Sequence, residues 1–124
     1  MAARAHLPRQ VAIEAYGNGG FRFGGMSHRG SILSLPSGIW EWPVASMEGL
    51  DPAAFAEVLG LRDTISLFFL GTGRSLMPPP RDVRAAFEAA GLWLEFMDTG
   101  AAARTYNVLL AEGRSLGAAL IAVE

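Results

Sequence analysis

The chain has no cysteine. Disulfides, thiol nucleophiles and Cys-ligated zinc or iron–sulfur centres are therefore excluded. It also has no lysine; all ten basic residues are arginine. That removes Schiff-base chemistry and the phosphate-binding lysine of a Walker loop, and it reads as the mark of a GC-rich genome. Two histidines, His6 and His28, are too few for a His-rich metal cage. No metal and no other cofactor is expected. Charged residues make up only 18% of the chain and the net charge is −2. Nothing in that balance suits a nucleic-acid backbone. Apolar runs such as Ile65 to Leu70 fall far short of the ~20 residues of a membrane span. An integral membrane protein is not expected. The start, MAARAHLPRQ, lacks the apolar core of a secretory signal. A cytoplasmic protein is the default expectation.

What is present suits one folded domain. The length is 124 residues, with 51% hydrophobic residues, 15 glycines and 7 prolines. That is enough apolar material for a core and many tight turns. Residues 1–9 read as a flexible tail and 10–124 as a single domain. Val11, Ile13 and Ala15 alternate as in a strand, Gly17-Asn18-Gly19-Gly20 supplies a turn, and Phe21 to Phe23 restarts the strand pattern. His28–Leu35 and Ile39–Val44 read as two further strands around Pro36-Ser37-Gly38.

Asp51-Pro52 opens a helix, with Asp at the N-cap and Pro at the first position, running to Gly60. Thr64–Leu70 is a nearly unbroken apolar run, the pattern of a strand covered on both faces. After Pro78-Pro79-Pro80, the stripe Val83, Ala86, Phe87, Ala90 predicts a helix that Gly91 ends. Leu92–Met97 reads as a strand. Asp98 or Thr99 then caps a helix to about Ala111, and Arg114–Val123 closes as a strand. The expected fold is α/β: one three-layer domain with a mixed central sheet. Its N-terminal half holds antiparallel hairpins and its C-terminal half two strand–helix–strand crossovers.

Three constellations stand out. If strands 64–70 and 92–97 are parallel neighbours, Gly71-Thr72-Gly73 lies beside Asp98-Thr99-Gly100. That is the edge where open α/β sheets hold ligands. The competing reading is that glycines end one strand and Asp98 caps a helix. Gly71-x-Gly73 is not a dinucleotide fingerprint, since Leu76 stands where the third glycine would fall. Second, Asp98, Asn107, Glu112 and Arg114 are candidates for one polar network, either a structural one or the wall of a ligand pocket. Third, Trp40 and Trp42 share a strand face, as core packing or, if exposed, as a partner anchor.

Two other motifs are discounted. Met97-Asp98-Thr99-Gly100-Ala101 copies the short signature of retroviral-type aspartic proteases. Such a site needs a second carboxylate and β-structure afterwards, and helix formers follow here instead. Ser27 and His28 are neighbours on a strand and so face opposite ways.

Across the chain run Ile13-x-x-Tyr16-x-x-Gly19, Gly30-Ser31-Ile32-Leu33, Trp42, Gly71-Thr72-Gly73 and Asp98-Thr99. The series ends in Thr105-Tyr106-Asn107-x-x-x-x-Glu112-Gly113-Arg114. This set resembles the mitochondrial respiratory complex I (NADH:ubiquinone oxidoreductase) assembly factor 3 family and its small bacterial and archaeal relatives. The resemblance covers nearly the whole chain. It implies a three-layer α/β domain. It also implies protein partners, complex I subunits or other assembly factors, and a location at most peripheral to the inner membrane. Bacterial relatives often carry cysteine where Ala103 stands, so a thiol mechanism is not expected. The mitochondrial form has phenylalanine at the Tyr106 position, which argues against a catalytic tyrosine. No mitochondrial presequence is evident, so a bacterial member is expected. The leading expectation is a non-catalytic assembly or interaction protein. The alternative is a small-molecule binding domain or enzyme built on the Gly71–Gly73 and Asp98–Gly100 edge.

Overall fold

Turn chemistry organises the N-terminal half. In the computed structural model, which describes residues 5–124, strands β2 (Ile13–Gly17) and β3 (Gly20–Phe23) form a hairpin. Its two loop residues, Asn18 and Gly19, both have positive φ, as a twist-matched two-residue turn requires. β4 (Met26–Arg29) pairs with β3 and completes a small antiparallel sheet. The stretch expected as one strand over His28–Leu35 is two. Gly30, at φ +98°, turns the chain out of the small sheet, and β5 (Ile32–Leu35) enters the central one. β6 (Gly38–Glu41) stops three residues before the expected Val44, because Pro43 has no N–H to offer a ladder. Of the tail expected over residues 1–9, the first four lie outside the described residues. Ala5–Leu7 forms a short strand, β1, on the free side of β6.

The C-terminal half supplies the crossovers. The Asp51 carboxylate accepts from the Ala53 N–H and starts a 3-10 turn, Pro52–Phe55, which runs into α1 (Ala56–Gly60). Then follow β7 (Leu67–Gly71), α2 (Arg81–Ala90), β8 (Trp93–Met97), α3 (Thr99–Ala111) and β9 (Leu116–Leu120). The central sheet has six strands in the order β1-β6-β5-β9-β7-β8. β7 is parallel to β8 and to β9, whereas β9 meets β5 antiparallel. The sheet is therefore mixed, with the parallel strands together.

Side-chain alternation assigns the faces. Phe68 and Leu70 of β7 join Trp42, Phe55, Val83 and Phe87 under α1 and α2. There Phe55 makes ring contacts with Trp42, Phe68 and Phe87 at centroid distances of 5.5, 6.2 and 5.2 Å. Phe69 points the other way, into a second cluster with Ala102, Ala103 and Tyr106 of α3 and Phe21 and Phe23 of the small sheet. The layers are thus α1 with α2, the central sheet, and α3 beside the small sheet. Because α2 and α3 cover opposite faces, the chain runs on from the ends of β7 and β8 toward opposite sides of the sheet. That divergence is the geometry at which α/β sheets can open a crevice.

Trp42 is buried and its indole N–H donates to the Ala54 carbonyl at 3.0 Å, whereas Trp40 is half-buried. Both rest on the same apolar cluster. Replacing Trp42 by alanine is expected to lower stability by about 3–5 kcal/mol. Trp40→Ala should cost clearly less. Urea unfolding of the two variants checks this, and equal costs would contradict the assignment.

Candidate functional site

The β7 and β8 loops do lie side by side, and they are stitched shut. The Thr72 N–H donates to the Met97 carbonyl at 2.8 Å, and the Thr99 N–H to the Gly73 carbonyl at 2.8 Å. The Thr99 hydroxyl accepts from the Gly73 N–H at 3.0 Å and donates to the Ile121 carbonyl at 2.7 Å. The Ile121 N–H in turn bonds the Gly71 carbonyl at 3.0 Å. The Thr72 hydroxyl donates to the Ser75 carbonyl and accepts from the Met77 N–H. Gly71, Thr72, Gly73 and Thr99 are all buried. A side chain at Gly71 would meet the Leu120 side chain at 2.9 Å and the Thr99 backbone at 3.0 Å. That glycine lets strand and helix approach closely. Asp98 is half-buried and accepts from the Ala101 N–H at 3.1 Å as the N-cap of α3. The crevice expected at this edge is therefore filled by the protein's own hydrogen bonds.

The polar residues of α3 divide. Glu112 is the C-cap of the helix and Arg114 follows it, both exposed. Asp98 sits at the other end, roughly 20 Å away along the axis. The four residues considered for one network do not meet. Tyr106 and Asn107 instead face the segment that enters β2. The Asn107 side-chain carbonyl accepts from the Ile13 N–H at 2.8 Å, and its amide N–H donates to the Ile13 carbonyl at 2.9 Å. One side chain thus does for Ile13 what a neighbouring strand would do.

Tyr106 lies beneath, fully buried. Its hydroxyl donates to the Val11 carbonyl at 2.7 Å and lies 2.8 Å from the Ser34 hydroxyl. The Gln10 side-chain amide donates to Ser34 at 3.1 Å and to the Leu116 carbonyl at 2.9 Å. With the Tyr106 proton on Val11, the order of donation is Gln10 to Ser34 to Tyr106 to Val11. Every buried group is satisfied, as a polar chain in a core demands. Burial pushes the Tyr106 phenol up to about 12, with the Ser34 hydrogen bond opposing the shift.

Gln10 and Ser34 were not among the sequence candidates. Ser34 carried a signal, a lone hydroxyl in Ile32-Leu33-Ser34-Leu35 that needs a partner. Gln10 carried none. Trp93, also missed, is 65% exposed on β8. The carboxylate two residues on, Glu95, takes its indole N–H and marks that face of the strand as wet. Among the described residues no group of three or more His, Asp or Glu is placed to hold a metal ion. Nor is any described helix long and apolar enough to cross a membrane.

A family model described as a protein of unknown function (DUF498/DUF598) matches residues 13–121. An uncharacterised protein of Rhodobacter capsulatus is 38% identical over 90% of this chain and 84% of its own length. NADH dehydrogenase [ubiquinone] 1 alpha subcomplex assembly factor 3 of Rattus norvegicus is 32% identical over 93% of this chain. The chain spans 62% of the length of that relative. Among solved structures, one described as an outer membrane protein from Bartonella henselae superposes with a TM-score of 0.91 at 44% identity. It covers 96% of this chain and 100% of its own.

Two outcomes test the polar contacts. Asn107→Ala should destabilise by about 1–3 kcal/mol, the cost of stranding the Ile13 groups. Asn107→Asp should do no better, since it sets an acceptor against the Ile13 carbonyl. Chemical denaturation within experimental error of wild type would remove the clamp. The second outcome is a pH dependence. An unfolded tyrosine ionises near 10 and the folded Tyr106 near 12. The unfolded chain then sheds its proton first. Stability from this group is whole below pH 10 and falls by roughly 2–3 kcal/mol as pH rises to 12. Tyr106→Phe should lose that slope relative to wild type in pH-resolved unfolding.

Proposed function

The chain belongs to the DUF498/DUF598 family, and from that membership we propose that it is a non-catalytic assembly or interaction protein. It acts through protein partners, at respiratory complex I or another membrane-associated complex, from a cytoplasmic position peripheral to the inner membrane. The observation that carries this reading is the 32% identity to a complex I assembly factor across 93% of the chain. The alignment extends over nearly the whole fold rather than over one loop.

The geometry supports the same direction. Five of the candidate side chains are committed to holding elements together. Thr72 and Thr99 bind backbone groups, and Asp98 caps a helix. Tyr106 and Asn107 clamp the β2 entry. The small-molecule alternative needs an open edge at Gly71–Gly73 and Asp98–Gly100, and that edge is filled. The contact residues left to the protein are those of its exterior.

Deletion of the gene in its native host should lower the content of assembled complex I, or shift another membrane complex toward smaller intermediates, on blue-native gels. Wild-type complementation should restore it. Normal content together with normal profiles of all membrane complexes would overturn the proposal.

A further inference from the structure

The central sheet ends differently on its two sides. Strand β1 is three residues long, has a register irregularity and is followed by Pro8. Those are devices that blunt a sheet edge. Strand β8, at the other edge, is five residues long, holds no proline and pairs with β7 in unbroken register. The Met97 carbonyl bonds inward, to Thr72. By the two-residue alternation of a strand, the backbone groups of Leu94 and Phe96 face outward. Among the described residues no strand pairs with that side.

Apolar surface flanks this edge on both faces. On the α2 side a groove of about 870 Å³ runs past Phe87, Leu94 and Phe96. On the α3 side a groove of about 490 Å³ runs past Met97 and Leu109. Trp93 borders both and is 65% exposed. A strand laid along β8 would send alternate side chains into the two grooves.

Charge and register decide what that strand is. Arg81 and Arg84 line the first groove and Arg114 the second. All three are exposed, and none makes a side-chain hydrogen bond or ion pair among the described residues. Glu88 and Glu95 are the acids beside them, and Glu95 already accepts from the Trp93 indole. The balance favours acidic residues on the incoming strand. A second copy fits poorly. Antiparallel self-pairing over Trp93–Met97 centres on Glu95 and sets two carboxylates opposite each other, which is unfavourable. Shifting the centre to Leu94 recruits Leu92, whose N–H is already bonded to the Phe87 carbonyl, and shifting it to Phe96 recruits Asp98, whose carbonyl already accepts from the Ala102 N–H.

We propose that the free edge of β8 docks an extended segment of a partner protein, alternating apolar and acidic residues, which adds to the central sheet as a further strand. The inference rests on the assembly reading and names its surface. The probe is a displayed library of short peptides, half with Asp or Glu fixed at alternate positions and half without acids. Binders are expected from the acidic half. Their binding should protect the Leu94 and Phe96 amides from hydrogen exchange. It should weaken about tenfold or more in Trp93→Lys and in Arg84→Glu. Both positions are exposed, and melting curves confirm that the variants fold. The absence of binders, binders that protect other amides, or binders indifferent to both variants would overturn the proposal. So would Leu94 and Phe96 protection that rises with protein concentration and needs no peptide, the mark of a second copy. Complementation separates the two readings. If deletion disturbs membrane complexes and the Trp93→Lys/Arg84→Glu chain restores them fully, the β8 docking fails and the assembly reading stands. If deletion disturbs nothing, the assembly reading fails.

Discussion

One carboxamide ties the small antiparallel sheet to α3. Asn107 on α3 gives Ile13 the acceptor and the donor that a strand neighbour would otherwise supply. The contact bridges 94 residues of sequence. Around it the Tyr106 hydroxyl holds the Val11 carbonyl. At the far end of the hairpin, the Gly19 N–H reaches the Val123 carbonyl at 2.7 Å. The small sheet also packs Ile13, Phe21 and Phe23 against the second apolar cluster. Apolar packing alone is tolerant of sliding, and the two hydrogen bonds at Ile13 fix where the sheet sits.

The same economy explains the loop edge. Parallel strands β7 and β8 deliver Gly71–Gly73 and Asp98–Thr99 to one place, as an open α/β site would have them. The glycine at position 71 lets the start of α3 approach, and Thr99 fills the space with a hydroxyl that bonds the backbone on both sides. A ligand would have to displace contacts that close the core. Exposed apolar side chains include Trp93 on β8, Val108 on α3, and Leu76 and Met77 just beyond Gly73.

Much of the fold was legible because its signals were local. Asp51-Pro52, Gly91 and the Val83–Ala90 stripe marked the helices by capping and period. The apolar run ending at Leu70 marked a strand buried on both faces. What escaped was set by distant partners. The break at Gly30 goes with a bond to Gly19 across the hairpin, and a lone glycine within His28–Leu35 does not say that the two sides of it join different sheets. Tyr106 and Asn107 could be marked as inward-facing polar groups, but their partner is a backbone segment, which no side-chain pattern reveals. Of the two residues that could cap α3, Asp98 or Thr99, it is Asp98 that does so. Its grouping with Glu112 and Arg114 ignored the length of the helix between them. Trp93 was overlooked because an aromatic at a strand start reads as core, and only the sheet order shows that β8 has one neighbour.

Native-state hydrogen exchange at the Ile13 amide tests the central claim most directly. If Asn107 locks the small sheet to α3, that amide exchanges only through global unfolding, with the same free energy and denaturant dependence as the Ala118 and Ala119 amides of β9. If Ile13 exchanges at a much lower free energy while β9 stays protected, the small sheet opens on its own. The small sheet would then be held on α3 by apolar contact rather than by the clamp.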